Sequence, residues 1–140
     1  MTPEVMAEIY AAAFPKSRAW TATEFEGFIS DPFCFFSILE DRGFALGQII
    51  AGEVELLTIA LKPEDQGQGL GRKLLNQYHE DAKSRGARVA LLEVAEDNIS
   101  AKRLYQKTGY SESGRRKGYY RRTDSSVTDA VLMRLTFSEV

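Results

Sequence analysis

The chain has 140 residues, of which 44% are hydrophobic and 27% charged, with a formal net charge of −2. These values are typical of one soluble globular domain over residues 1–140, and they argue against nucleic-acid binding by overall electrostatics. The sequence has no apolar run of membrane-spanning length and no signal-peptide pattern, so we expect a cytoplasmic protein without membrane contact.

The N-terminal region predicts two amphipathic helices followed by a pair of strands. Thr2-Pro3-Glu4 is a typical helix start, because proline and an acidic residue are favoured in the first turn. Thr21 or Thr23 can cap the second helix, and Asp31-Pro32 ends it. The predicted elements are helices over about 2–14 and 21–31 and strands over 33–39 and 44–51.

The central region predicts a strand, a glycine-rich turn and a long helix. Val54–Leu61 is rich in β-branched and aliphatic residues, and Pro63 ends the strand because proline cannot donate to a sheet. The turn carries three glycines at alternate positions, Gly67, Gly69 and Gly71. An amphipathic helix is predicted from about Gly69 to the glycine stop at Arg85-Gly86.

The C-terminal region predicts a strand, a short helix and a final pair of strands. These elements span about 88–94, 98–108, 110–120 and 128–137. The order is therefore ααβββαβαββ, with a strand–helix–strand unit at its centre. This order predicts an α/β protein with a mixed sheet and helices on both faces.

The segment from Gln66 to Arg72 predicts an anion site. Glycine lets a backbone approach a ligand closely, and a helix N-terminus offers unpaired N–H groups and partial positive charge. Arg72 adds a full positive charge, so phosphate or pyrophosphate would suit the site. The spacing fits neither the Rossmann fingerprint nor the P-loop, and a glycine turn that merely begins a helix stays open as the alternative.

Two further residues could carry chemistry. Glu93 lies at the carboxyl end of a predicted buried strand, where ligands of α/β sheets collect and where desolvation makes a carboxylate a better base. Tyr105 could protonate a leaving group if its hydroxyl emerges into a cleft. The structural alternatives are a salt-bridged or solvent-facing acid and a core aromatic. His79, the single histidine, is expected to be solvated, and no residue cluster predicts a metal site.

Several segments resemble the GNAT superfamily of N-acetyltransferases. Gln66, Gly69 and Gly71 match the Gln/Arg-x-x-Gly-x-Gly/Ala loop that holds the acetyl-CoA pyrophosphate in that superfamily. The stretch 91–110 looks like the strand-and-helix signature of the RimI-type alanine N-acetyltransferases, which act on a ribosomal protein. Further matches lie at 13–15, 55–61, 119–120 and 129–133, so the resemblance spans about 4–137. It implies a GNAT fold with a mixed, mostly antiparallel sheet, in which the strand that usually precedes the first helix is reduced or absent.

The resemblance also implies roles for individual residues. Glu93 would be the general base and Tyr105 the general acid of direct acetyl transfer to a protein N-terminal amine, by analogy an alanine of a ribosomal protein. Acetyl-CoA would be the donor, and no metal is required. The implied cofactor-binding residues are Ile59, Ala60, Leu61, Gln66, Gly67, Gln68, Gly69, Leu70, Gly71, Arg72 and Asn98. The implied acceptor-binding residues are Trp20, Tyr119 and Tyr120.

Departures from the family pattern concern the acceptor side. Thr58 stands where asparagine is frequent, Arg121 follows the paired tyrosines where proline is frequent, and the loop near Trp20 is altered. Two alternatives therefore stay open. The acceptor could be a small amine or a lysine side chain, or the protein could be a non-catalytic acyl-CoA- or RNA-binding module that uses the basic segment Arg115–Arg122. A solvated strand rim is the favoured interpretation of that segment, so direct nucleic-acid binding is not expected.

Overall fold

The computed structural model describes residues 1–122 and 124–137, and its elements follow the predicted order. The helices are α1 (Pro3–Ala13), α2 (Ala22–Ser30), α3 (Leu70–Ser84) and α4 (Ile99–Lys107). The strands are β1 (Cys34–Leu39), β2 (Gly43–Ile50), β3 (Glu53–Leu61), β4 (Val89–Ala95), β5 (Ser111–Arg121) and β6 (Val127–Thr136). Within the described ranges α1 is the first element, and no helix there is long and apolar enough to span a bilayer.

Side chains cap the first two helices as their sequences indicate. The Thr2 hydroxyl accepts a hydrogen bond from the Val5 N–H at 3.2 Å. At α2 the cap is Thr21, whose hydroxyl accepts from the Glu24 N–H at 3.2 Å while the Glu24 carboxylate accepts from the Thr21 N–H at 3.2 Å. Arg18 donates to both Glu24 oxygens, and these hydrogen bonds are the main reason why the pKa of Glu24 falls to about 2. This reciprocal capping box sets where α2 begins.

The six strands form one sheet in the order β1-β2-β3-β4-β6-β5. Only β3 and β4 run parallel, and the other neighbouring strands are antiparallel. Helix α3 connects the parallel pair, because parallel neighbours need a crossover rather than a tight turn. The predicted mixed, mostly antiparallel sheet is therefore confirmed.

The two parallel strands part in the middle of the sheet. Their pairing ends at Leu56↔Leu92, although β3 continues to Leu61 and β4 to Ala95. A bulge lies at the same place, because Leu57 has no partner on β2 while both of its neighbours do. Bulges bend the strand that carries them, so the bulge and the parting of the strands belong to one distortion.

Two hydrophobic clusters hold the helices on opposite faces of the sheet. One cluster joins α3 and α4 to the sheet, and its buried α3 residues are Leu74, Leu75, Tyr78 and Ala82. The other joins α1 and α2 to β2 and β3 through Met6, Ile9, Tyr10, Phe25, Phe44 and Ala60. Because α1 and α2 pack mainly over β1, β2 and β3, they leave the same face of β4, β5 and β6 more open.

His79 is buried, so the prediction of a solvated histidine was wrong. Its side chain is 6% exposed, its Nε2 lies 2.8 Å from the Tyr110 hydroxyl, and its ring packs edge-on against Phe137. The residue follows Leu75 by one helical turn and thus shares the buried face of α3. Burial, followed by the nearby Lys83 charge, lowers the pKa of His79 to about 4.

Candidate active site

The parting of β3 and β4 creates a cleft with a free backbone edge. Ile59, Ala60 and Leu61 pair with β2 on one side, but they lie beyond the last pair that β3 forms with β4. The edge of β3 that faces the cleft is therefore available to an extended ligand that carries its own amide groups. The prediction that these three residues bind a cofactor through their backbone requires such an open edge, and the binding itself stays a prediction.

The glycine turn approaches the same end of β3. Gly67 and Gly69 adopt φ angles of +76° and +78°, in the left-handed region that favours glycine. A Cβ atom at either position would meet no protein atom within 4 Å, so the space above both glycines is open. The glycines thus permit the backbone conformation and leave room for a ligand to reach it.

Both glutamines of the turn donate to backbone carbonyls. The Gln66 amide donates to the Leu61 carbonyl at 3.1 Å, and the Gln68 amide donates to the Glu64 carbonyl at 3.0 Å. These bonds tie the turn to the end of β3 and to the short 3-10 helix, Pro63–Asp65, that follows it. Both side chains therefore shape the turn.

The first turn of α3 has the properties of an anion site. Gly69 is the N-cap residue and offers no side chain to the free N–H groups of Leu70, Gly71 and Arg72. No acidic side chain occupies this first turn, so the positive end of the helix dipole is uncompensated there. A Cβ at Gly71 would lie 3.5 Å from Leu104 of α4, which places α4 beside the loop.

Glu93 lies on β4 one residue beyond the last pair with β3. Its neighbours Leu92 and Val94 belong to the cluster under α3 and α4, so the alternation of the strand directs Glu93 to the opposite, more open face. The side chain is 23% exposed, and its Oε1 lies 3.6 Å from a guanidinium nitrogen of Arg116. Glu93 is thus a partly buried carboxylate with one cationic neighbour at the edge of the cleft.

Tyr105 approaches the cleft from the other face of the sheet. The residue is 6% exposed on α4, and its ring packs edge-on against Tyr110 with the centroids 5.8 Å apart. Burial, and next the Tyr120 phenol, raise the pKa of Tyr105, so its hydroxyl keeps its proton at neutral pH. No group within the described ranges hydrogen-bonds this hydroxyl. A protonated donor and a carboxylate thus flank the parted strands.

Tyr120 links these two groups electrostatically. The residue is half-buried, and burial first and the Glu93 carboxylate next raise its pKa to about 12. Tyr119 packs edge-on against it at 5.4 Å and lies under the Arg116 guanidinium at 5.1 Å. The paired tyrosines therefore lie on the Glu93 side of the cleft, and their binding of an acceptor stays a prediction.

Trp20, the third residue predicted to bind an acceptor, packs in the cluster under α1 and α2. Its ring stacks on Tyr10 at 4.7 Å and contacts Phe25 and Phe28 in the cluster under α1 and α2. Among these aromatic residues, Tyr10 contributes to raising the pKa of Tyr120. Trp20 therefore packs against a residue that lies near Tyr120.

Asn98 caps α4. Its side-chain oxygen accepts from the Ala101 N–H at 3.3 Å and lies 3.4 Å from the Ser100 hydroxyl. This oxygen is occupied in setting the start of the helix that carries Tyr105, so only the amide nitrogen is left to contact a cofactor.

Sequence reasoning missed the pairing of Arg116 with Glu93. The register through β6 aligns Arg116 with Ala130 and Ala95, which are on the same sheet face as Glu93. This alignment depends on two irregularities of β5 that no local sequence signal marks. Other cations of the basic segment are also paired, since Arg115 contacts Glu96 and Arg122 contacts Asp97.

The described residues contain no group of three or more His, Cys, Asp or Glu side chains close enough to hold a metal ion.

Comparisons with known proteins give matches over most of the chain. A sequence model of the Acetyltransferase (GNAT) family matches residues 4–110. The ribosomal protein bS18-alanine N-acetyltransferase of Escherichia coli K12 is 34% identical over 131 residues, which cover 91% of this chain and 85% of that protein. The crystal structure of the E. coli ribosomal-protein-S18-alanine N-acetyltransferase has a TM-score of 0.84 at 30% identity, over 96% of this chain and 86% of that one. A Bacillus subtilis acetyltransferase solved in complex with CoA shares the fold, with a TM-score of 0.73 at 20% identity over 94% of this chain and 92% of that one.

Proposed function

The chain belongs to the acetyltransferase (GNAT) family and is an acyltransferase, and from this premise we propose that it transfers acetyl from acetyl-CoA to the N-terminal α-amine of a protein. By analogy with the relatives, the acceptor is the N-terminal alanine of a ribosomal protein. The observation that carries the proposal is the cleft where β3 and β4 part, with the glycine turn at one end and Glu93 and Tyr105 on its two faces.

The donor would lie along the free edge of β3. The backbone of Ile59, Ala60 and Leu61 would pair with the amide groups of the pantetheine arm as a neighbouring strand does. The N–H groups from Gly67 to Arg72 would hold the diphosphate, because a helix N-terminus with no acidic side chain attracts anions. Acetyl-CoA supplies a thioester, whose acyl carbon accepts the amine nitrogen while the bond to sulfur breaks.

Glu93 and Tyr105 would move the protons of this transfer. An α-amine has an ordinary pKa of about 7.7–8.0, so a carboxylate suffices to remove its proton, directly or through a water molecule. Glu93 would take that proton, and Tyr105 would give its own to the leaving sulfur. Burial holds the pKa of Tyr105 above the ordinary value, so the phenol carries its proton at neutral pH.

The test is incubation with acetyl-CoA and a library of N-terminal peptides, small amines and internal lysine peptides, followed by mass spectrometry. We expect a mass increase of one acetyl group on peptides with a free N-terminal alanine. Acetylation of only small amines or only lysine side chains would contradict the proposed acceptor.

Glu93→Gln separates catalysis from binding. The variant keeps the size and hydrogen-bonding capacity of the side chain but removes the base, so we expect turnover to fall at least about tenfold. Calorimetry should give an unchanged acetyl-CoA affinity. An unaltered turnover number would remove Glu93 from the mechanism.

A further inference from the structure

β5 carries an irregularity beside the acceptor tyrosines. Between the pairs Arg116↔Ala130 and Tyr120↔Thr128, β5 advances from 116 to 120 while β6 advances only from 130 to 128. β5 therefore has two extra residues there (4 − 2 = 2). Gly118 lies within this segment at a φ of +60°. We call residues 117–119 the Gly118 bulge.

The Asp129 carboxylate contacts the Gly118 bulge. The Gly118 N–H donates to Oδ1 of Asp129 at 2.9 Å. Asp129 lies on β6 between Ala130 and Thr128, the two residues whose pairs bracket the bulge. The carboxylate thus accepts the hydrogen bond of a backbone group that has left the regular β5–β6 pairing.

The bulge determines where Tyr120 lies along β6. Because its surplus is even, Arg116 and Tyr120 both stay on the sheet face of Glu93. Without the two extra residues of β5, Tyr120 would align two residues farther along β6. At about 3.3 Å per residue, this would move it about 7 Å from its present position. The contacts of Tyr120 with the Glu93 side of the cleft would then be lost.

Asp129 also joins a chain of ion pairs that reaches α4. Its Oδ2 lies 3.8 Å from Arg115, which contacts Glu96 at 3.0 Å, and Glu96 contacts Lys102 of α4 at 3.2 Å. This chain connects the β5 segment with Tyr120 to the helix with Tyr105. The carboxylate of Asp129 therefore lies between the part of β5 that carries Tyr120 and the helix that carries Tyr105, α4.

We propose that Asp129 is a positioning residue for the acceptor, which holds the Gly118 bulge so that Tyr120 stays beside Glu93 and Arg116. The proposal rests on the proposed function for its reaction and predicts an effect on the acceptor rather than on the donor. Asp129→Ala should raise KM for the acceptor at least about tenfold, the factor that corresponds to about 1.4 kcal/mol. Acetyl-CoA affinity, measured by calorimetry, should stay within about twofold, because the glycine turn lies elsewhere.

Three further variants separate this role from a general loss of stability. Asp129→Asn keeps an oxygen that can accept from Gly118, so it should restore most of the acceptor affinity. Glu112→Ala removes another partner of Arg115, 2.7 Å away, without affecting Gly118 and should leave KM unchanged. Gly118→Val disturbs the bulge from β5, because valine disfavours the positive φ of Gly118. It should raise KM for the acceptor as Asp129→Ala does, so the test stays decisive if Asp129→Ala fails to fold.

The assay uses whichever acceptor the wild-type protein modifies best in the library. A wild type that modifies only amines of another class refutes the proposed function, while KM for that acceptor still tests Asp129. Hydrogen exchange of residues 116–120, which needs no acceptor, should become faster in Asp129→Ala. A wild-type KM, an unchanged exchange rate, or an equal loss of acetyl-CoA affinity in Asp129→Ala would overturn the inference.

Discussion

Replacement of Gly69 by alanine, with Gly71→Ala as its matched control, tests the proposed diphosphate site. The two glycines are two positions apart and receive the same methyl group. Gly69 has a φ of +78°, which costs an L-residue about 1–2 kcal/mol, whereas Gly71 lies in α3, where alanine is preferred over glycine by up to about 1 kcal/mol. The first variant should therefore be less stable than the wild type and the second equally or more stable.

The surroundings of the two methyl groups predict opposite effects on the donor. At Gly69 the new Cβ would meet no protein atom within 4 Å and would project into the space proposed for the diphosphate. At Gly71 it would contact Leu104 and Leu61 at 3.5 and 3.7 Å, which are ordinary van der Waals distances. We expect Kd for acetyl-CoA to rise at least about tenfold for Gly69→Ala, a loss of about 1.4 kcal/mol, and to stay within about threefold for Gly71→Ala.

Calorimetric titration with acetyl-CoA gives the Kd values, and thermal denaturation gives the stabilities. A loss of 1–2 kcal/mol should lower Tm by roughly 3–8 °C in a chain of this length, which leaves Gly69→Ala folded at 25 °C. A wild-type Kd for Gly69→Ala would refute the assignment of the loop. An equal rise in Kd for acetyl-CoA in both variants would show that the methyl groups act through the protein and not through contact with the donor.

The remaining predictions concern three buried side chains. Tyr105→Phe should lower kcat at least about tenfold with little change in acetyl-CoA affinity, and an unchanged kcat in steady-state assays would exclude Tyr105 as the proton donor. Its control is Tyr78→Phe, which removes a buried hydroxyl without a hydrogen-bond partner in the described structure and should raise the free energy of unfolding by about 1 kcal/mol without loss of kcat. His79 has a pKa of about 4 when folded and about 6.5 when unfolded, so the unfolded chain binds more protons between these values and stability falls as the pH decreases. Urea denaturation should show a loss of about 2 kcal/mol from this residue between pH 7 and pH 5, and His79→Gln should flatten that dependence.

Local signals explain why the element order was predictable. Each helix start has a capping residue or a glycine, and the first four strands are mainly apolar runs between turn residues. The strand and the glycine turn were also predictable, because β3 and the positive φ angles at Gly67 and Gly69 are encoded within one stretch of chain. Thr21 and Thr23 could be told apart only in the structure, where Glu24 completes the capping box with Thr21.

Features that depend on distant partners could not be predicted. The burial of His79 requires Tyr110 and Phe137, which come from other parts of the chain, so the polar residues near it on α3 were misleading. The ion pair of Arg116 with Glu93 requires the exact register of β5 on β6. A bulge such as the one at Leu57 exists only relative to a neighbouring strand, and a single strand carries no local signal for it.

The placement of the two helical layers on opposite faces of the sheet has an evolutionary consequence. The layer of α1 and α2 holds Tyr10 and Trp20 on the side of the proposed acceptor site, while α3 and its glycine turn lie on the far side with a separate set of core residues. Substitutions in the first layer can therefore accumulate without disturbing the glycine turn that would hold the diphosphate. Such a division lets descendants of one ancestral enzyme diverge in what they modify while inheriting the same source of acetyl groups.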